Sequence, residues 1–125
     1  MKSLIIVLTS LNILFLFMHE FEAFYKGEWR MFKFLQKFDD KTQFLIFLYA
    51  HLPITLFAFY YLWTVYNFNN YLLWIIVNIL TIFHLVIHLI ALKWHSNVFK
   101  CSHSFIFIAC TAICGIINLC FMGYY

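Results

Sequence analysis

The sequence predicts an all-α fold: a four-transmembrane-helix bundle with a short interfacial amphipathic helix between helices 1 and 2. Three observations predict it. Hydrophobic residues make up 66% of the chain and charged residues 10%. A soluble domain carries about 25% charged residues, so too little polar surface is present here to cover a water-soluble globule. Four stretches are long and apolar enough to cross a hydrocarbon core, which takes about 20 residues at about 1.5 Å each. One proline and three glycines leave no linker for a second domain, so residues 1–125 read as a single integral membrane domain.

The first span is expected over residues 3–21. Lys2 followed by an apolar run resembles a signal peptide. No small-x-small site precedes the charged residues, and His19-Glu20-Phe21-Glu22 is a poor cleavage substrate, so the segment is expected to stay in the mature protein. The second span covers residues 44–66, and Pro53 inside it is expected to kink the helix and free the Tyr49 carbonyl. The third covers residues 71–92. The fourth covers residues 104–122 and carries Ala109, Cys110, Ala112, Cys114, Gly115 and Cys120, small side chains that let helices approach closely in lipid. The four cysteines (Cys101, Cys110, Cys114 and Cys120) form no CxxC pair and read as apolar packing residues rather than a disulfide or soft metal site.

Basic residues give the expected orientation. The loop after the first span carries Lys26, Arg30, Lys33, Lys37 and Lys41, and the loop after the third carries Lys93 and Lys100. The turn at residues 67–70 carries none, and only Lys2 opposes the bias. Both basic loops should face the cytoplasm, with both termini outside. A net charge of +3 confined to two short loops fits an anionic bilayer surface and not a nucleic-acid partner. Within the first loop, Glu28 to Phe38 reads EWRMFKFLQKF. Trp29, Phe32 and Leu35–Gln36 recur at helical spacing, as in a helix lying flat in the interface.

Polar groups inside a bilayer are candidates for function. His84 and His88 are four apart on one face of the third helix, and Asn78 and Thr81 extend that face. His51 and Thr55 pair in the same way on the second helix; His19 and Glu22 are three apart on the first, with Asn12 one heptad earlier. Helical rise puts His51 about 12–15 Å above residues 41–43, and His84 and His88 about 7–14 Å above Lys93. Three helices therefore bring histidine to the same leaflet. The polar residues are expected to stop there, which argues against a channel or transporter. His95 and His103 read as surface residues of a loop.

Imidazole and carboxylate suit a divalent ion, zinc or iron. The expected ligands are His19, Glu22, His51, His84 and His88, with Glu20 or Glu28 as general base. An open coordination position could then activate water or a lipid-like substrate. Other readings stand beside this one. A b-type haem could use His51 with His84 or His88. The cluster could be a structural hydrogen-bond network in a non-enzymatic membrane subunit, one that binds a membrane protein partner or a second copy through the fourth helix. The residues leave enzyme and non-enzyme readings open. No P-loop, dinucleotide fingerprint or Ser-His-Asp arrangement is present.

The runs His19-Glu20-Phe21-Glu22-Ala23 and Glu28-Trp29-Arg30 carry a resemblance. They resemble an uncharacterised bacterial family of small four-helix membrane proteins whose first helix ends in His-Glu-x-acid-Ala, with Glu-Trp-Arg following. That family is similar in outline to proteins with the HXXEE domain. His51-x-Pro53 and the His84/His88 pair match it too. The resemblance implies four helices in a bacterial inner membrane and a shared His/Glu site, but no substrate. Physically, Trp29 suits the headgroup level. Arg30 is expected to pair with Glu22 or Glu28 or to grip a lipid phosphate. Glu28 is expected to reach back toward the histidines.

Overall fold

A computed structural model describes residues 1–91 and 102–125. Leu92, Lys93, His95, Lys100 and Cys101, to which the sequence assigned a helix end, loop charges and packing, lie outside the described residues. Four helices are long and apolar enough to cross a membrane, and they pack as a bundle. They are α1 (Lys2–Lys26), α2 (Asp40–Asn67), α3 (Tyr71–Ala91) and α4 (Ser102–Cys120). Two short 3-10 helices, Glu28–Met31 and Met122–Tyr124, complete the described elements.

The caps explain where these helices stop. α1 ends at Gly27, whose φ of 72° is left-handed and whose N–H donates back to the carbonyls of Ala23 and Phe24. α2 starts at the Asp39 cap, which accepts from the Thr42 N–H at 3.1 Å. It ends at Phe68, left-handed at φ 51°, a conformation uncommon outside glycine. Asn70 Oδ1 accepts from the Leu73 N–H at 2.9 Å and opens α3. α1 therefore runs past the expected end at residue 21, and α2 begins before residue 44. Periodic apolarity marks only the part of a helix in hydrocarbon. At 25 residues and about 1.5 Å each, α1 is longer than a hydrocarbon core of about 30 Å.

Adjacent helices alternate in direction. Ile5, Val65 and Trp74 share one apolar cluster, whereas Ala23 and Phe47 share another at the opposite end. α1 and α3 thus run parallel, with α2 and α4 antiparallel to them. α4 packs intimately on both α1 and α3. A Cβ at Gly115 would stand 2.7 Å from Thr81 Oγ1 and 3.0 Å from the Asn78 carbonyl, so this approach requires glycine. α2 is the least enclosed of the four and touches its neighbours sparingly. It stays helical through Pro53.

Two expectations need correction. The first concerns Glu28–Phe38, which is a four-residue 3-10 helix followed by turns, not an amphipathic α-helix across the whole segment. Trp29 and Leu35 are both buried against Ala23 and Phe47. Six residues apart on an α-helix they would point about 120° apart and could not both face that cluster. Arg30 bonds Asp40 twice, at 2.7 and 2.8 Å, rather than Glu22 or Glu28, and Trp29 Nε1–H also donates to Asp40. The second concerns the polar interior, which does not stop at one leaflet. Asn12 donates to Thr81 Oγ1 and the Thr111 carbonyl, and Asn118 to Thr9 Oγ1 and Asn78 Oδ1. Asn78 in turn donates to the Tyr61 hydroxyl at 3.3 Å.

Candidate metal centre

At the α1–α2 loop end of the bundle, α1 and α3, both packed on α4, turn three imidazoles toward one another. His19 comes from α1; His84 and His88 come from successive turns of α3. One ligand atom from each lies within 4.8 Å of the others. The ring centroids are 5.3 Å apart for His19 and His84, 4.8 Å for His19 and His88, and 4.5 Å for His84 and His88. His19 is 2% exposed and His88 7%, so the group is enclosed by the bundle. Nitrogens on a tetrahedral zinc, at about 2.0–2.1 Å from the ion, stand about 3.3 Å apart. The three rings need a contraction on the order of 1.5 Å to hold an ion, which side-chain rotation can supply.

Contacts around the group show how each ring is held. His19 Nδ1 shares a hydrogen bond with Ser104 Oγ at 3.0 Å, so the first turn of α4 orients the α1 ring. With Nδ1–H donating to that hydroxyl, Nε2 becomes the ligand atom, the usual division of labour in a metal-bound histidine. His84 Nε2 is buried without a hydrogen-bond partner among the described residues. An orphaned imidazole nitrogen in the core costs free energy unless a proton donor or a metal ion meets it.

The other expected site residues lie around this group rather than within it. His51 Nε2 meets Glu20 Oε2 at 2.9 Å, while His51 Nδ1 is 2.6 Å from the Phe47 carbonyl. Both of these partners are acceptors. A proton must therefore sit on each nitrogen of the ring, or on Glu20, for both bonds to exist. The pair is a proton-carrying unit between α1 and α2, with side chains 21% exposed for Glu20 and 16% for His51. Glu22 is half-buried, with Oε2 unpartnered among the described residues, and Glu28 is buried with Oε1 likewise unpartnered. Burial, reinforced by the charges of Glu20 and Glu22, pushes the Glu28 carboxyl up to about 8, so it holds its proton at neutral pH. His103 is exposed in the first turn of α4.

Ser104 had no place among the sequence-derived site residues. The signal was present: Ser104, Thr111 and Asn118 recur at seven-residue spacing, as do Asn12 and His19 on α1 and Thr81 and His88 on α3. All are buried. A heptad stripe marks the seam that faces partner helices, and here that stripe is polar. Cys110, Cys114 and Cys120 are free thiols on α4, and Cys114 is buried, in keeping with a packing role.

Residues 5–125 match the family of unknown function DUF6713, and the chain belongs to that family. No curated protein and no solved structure matches it significantly.

Proposed function

We propose that this DUF6713 protein is a multi-pass membrane metalloprotein that holds one divalent ion on His19, His84 and His88 and acts on a lipid-like substrate. The observation that carries the reading is the convergence of three enclosed imidazoles from two helices, one with an orphaned nitrogen. Three histidines with one position left open form the ligand set of a catalytic zinc site. The absence of a carboxylate from the group favours zinc over the two-His, one-carboxylate set of non-haem iron. In this reading Glu20, held by His51, is the base beside the open position, and Glu28 is a proton donor at the rim. Glu22 is an outer ligand or orienting group, and His51 orients Glu20. A haem on His51 is less supported, because that ring is already engaged at both nitrogens.

The five basic residues of the α1–α2 connection and its flanks lie at the histidine end, which supports a cytoplasmic placement of the site and termini on the other side. A second reading, that the cluster is a structural network in a membrane subunit, is favoured by the His19–Ser104 bond, which ties α1 to α4. In that case a protein partner or a second copy would carry the function.

Elemental analysis of untagged protein in detergent decides between them. About one equivalent of zinc is expected, falling to near zero in the H84A/H88A double variant with helical content kept. Metal-free wild-type protein, still metal-free after incubation with zinc, would overturn the metal reading and leave the network.

A further inference from the structure

The loose contact between α1 and α2 has a different character at each end. At the loop end sits the Glu20–His51 pair, partly exposed within a membrane-spanning region. At the other end, the same two helices flank an open cavity of about 280 Å³ lined by Ile6, Thr9, Ser10, Leu62, Trp63 and Tyr66. Helical periodicity aligns the two ends. Thr9 and Ile13 lie on the Glu20 face of α1, and Ala58 and Leu62 lie on the His51 face of α2. Between them, Ile13 and the small Ala58 are buried in the seam, and the Phe17 and Phe59 rings meet at 6.4 Å. Ten residues separate Glu20 from Ser10, a rise of about 15 Å.

Such a seam matches one kind of molecule. Its polar end is rich in acceptors, because a carboxylate has lone pairs beyond the one bond to His51. A head group there must donate a hydrogen bond. The remaining length and the cavity are mainly apolar, with the hydroxyls of Thr9 and Ser10 at the far end, and they lie along the least enclosed helix. We infer that the α1–α2 seam binds a long single-chain lipid with a hydroxyl-bearing head, the head at Glu20–His51 and the tail end in the cavity between Ile6 and Tyr66. This names the substrate class for the site proposed above and rests on that reading for its catalytic meaning, though not for binding itself. Lateral entry from the leaflet delivers the head beside the histidine group without passage through water.

The test uses the full chain in amphipol and hexadecanol carrying a diazirine at its terminal carbon. After photolysis, peptide mass spectrometry is expected to find label concentrated on residues 6–10 and 62–66. Unlabelled hexadecanol should compete and hexanol should not. The S10F variant, which fills the cavity from an exposed position, should lower labelling at least fivefold with helical content unchanged. Label spread over outward residues such as Leu56, Phe83 and Ile116 in proportion to exposure would overturn the inference, as would labelling unchanged in S10F. Zinc content measured on the same samples separates the two readings. Labelling without zinc keeps the lipid seam and sinks the metal site, whereas zinc without focused labelling does the reverse.

Discussion

The two halves of the polar interior sit on the same heptad stripes but are built differently. In the half remote from the α1–α2 loop, the groups are amides and hydroxyls. Asn12, Asn78 and Asn118 each donate both amide protons, and the acceptors belong to every helix of the bundle. Nothing in that half is charged. In the other half the stripe turns to histidine, with glutamates around it; among the described residues, the buried unpartnered atoms there include those of the ionisable groups His84, Glu22 and Glu28, whereas in the amide half they are Asn12 Oδ1, Asn118 Oδ1 and Trp74 Nε1. Amides that donate both protons hold helices together; ionisable groups with unmet valence wait for a proton, an ion or a ligand. One seam thus serves assembly over part of its length and chemistry over the rest.

The largest test of that contrast uses Glu28. Its carboxyl has an ordinary value near 4.5 and stands at about 8 in the folded protein. Between those values the folded state keeps a proton that the unfolded state has released. Stability is therefore full below about pH 4.5 and declines as pH rises toward 8. At about 1.4 kcal/mol per unit, the total is on the order of a few kcal/mol. The E28Q variant, neutral at every pH, should show a flat profile of thermal midpoint against pH and should exceed the wild type at pH 8. Superimposable profiles would mean that the buried acid is not held neutral and that the two halves differ less than their composition suggests.

Much of this was legible in the sequence, and the parts that were not have physical reasons. The four spans follow from apolar length alone. The His84/His88 pair follows from a four-residue spacing, and the shared depth of three histidines follows from helical rise. Depth does not say which helices touch. α4 packs on both α1 and α3 and so brings the α3 pair to His19, whereas His51 on the loosely held α2 is taken by Glu20, about 100° around α1 from His19. The loop was harder still, because Trp29 and Arg30 both answer to Asp40, ten or eleven residues away. The partner of His19 was hidden in a heptad of Ser104, Thr111 and Asn118 among residues chosen for being small.

Ser104 stands where α4's polar stripe meets the histidine half, so its removal sharpens the boundary. In the S104A variant His19 loses the group that orients its ring. Zinc affinity is expected to fall about 10–100-fold, the usual effect of deleting a partner of a metal-bound histidine. The thermal midpoint of the metal-free protein should move little. A competitive chelator titration reads the first quantity and a melt the second. An S104A protein that binds zinc as the wild type does would mean that His19 is oriented by packing alone.

The smallest expected effect lies in the other half. Asn118 is fully buried and gives its two amide protons to Thr9 and Asn78, on α1 and α3. The N118A variant deletes both bonds and leaves two acceptors without donors. In a membrane the loss is softened, because polar groups of separated helices find other partners. Interhelical bonds of this kind average about 0.6 kcal/mol each, so a loss of about 1 kcal/mol is expected. It should appear as a lower thermal midpoint across neutral pH, with zinc stoichiometry and affinity unchanged, because this half is built of amides and hydroxyls and holds none of the imidazoles. If N118A instead weakened zinc binding as much as S104A, the seam would act as one coupled unit from end to end. The division between an assembling half and a reacting half would then fail.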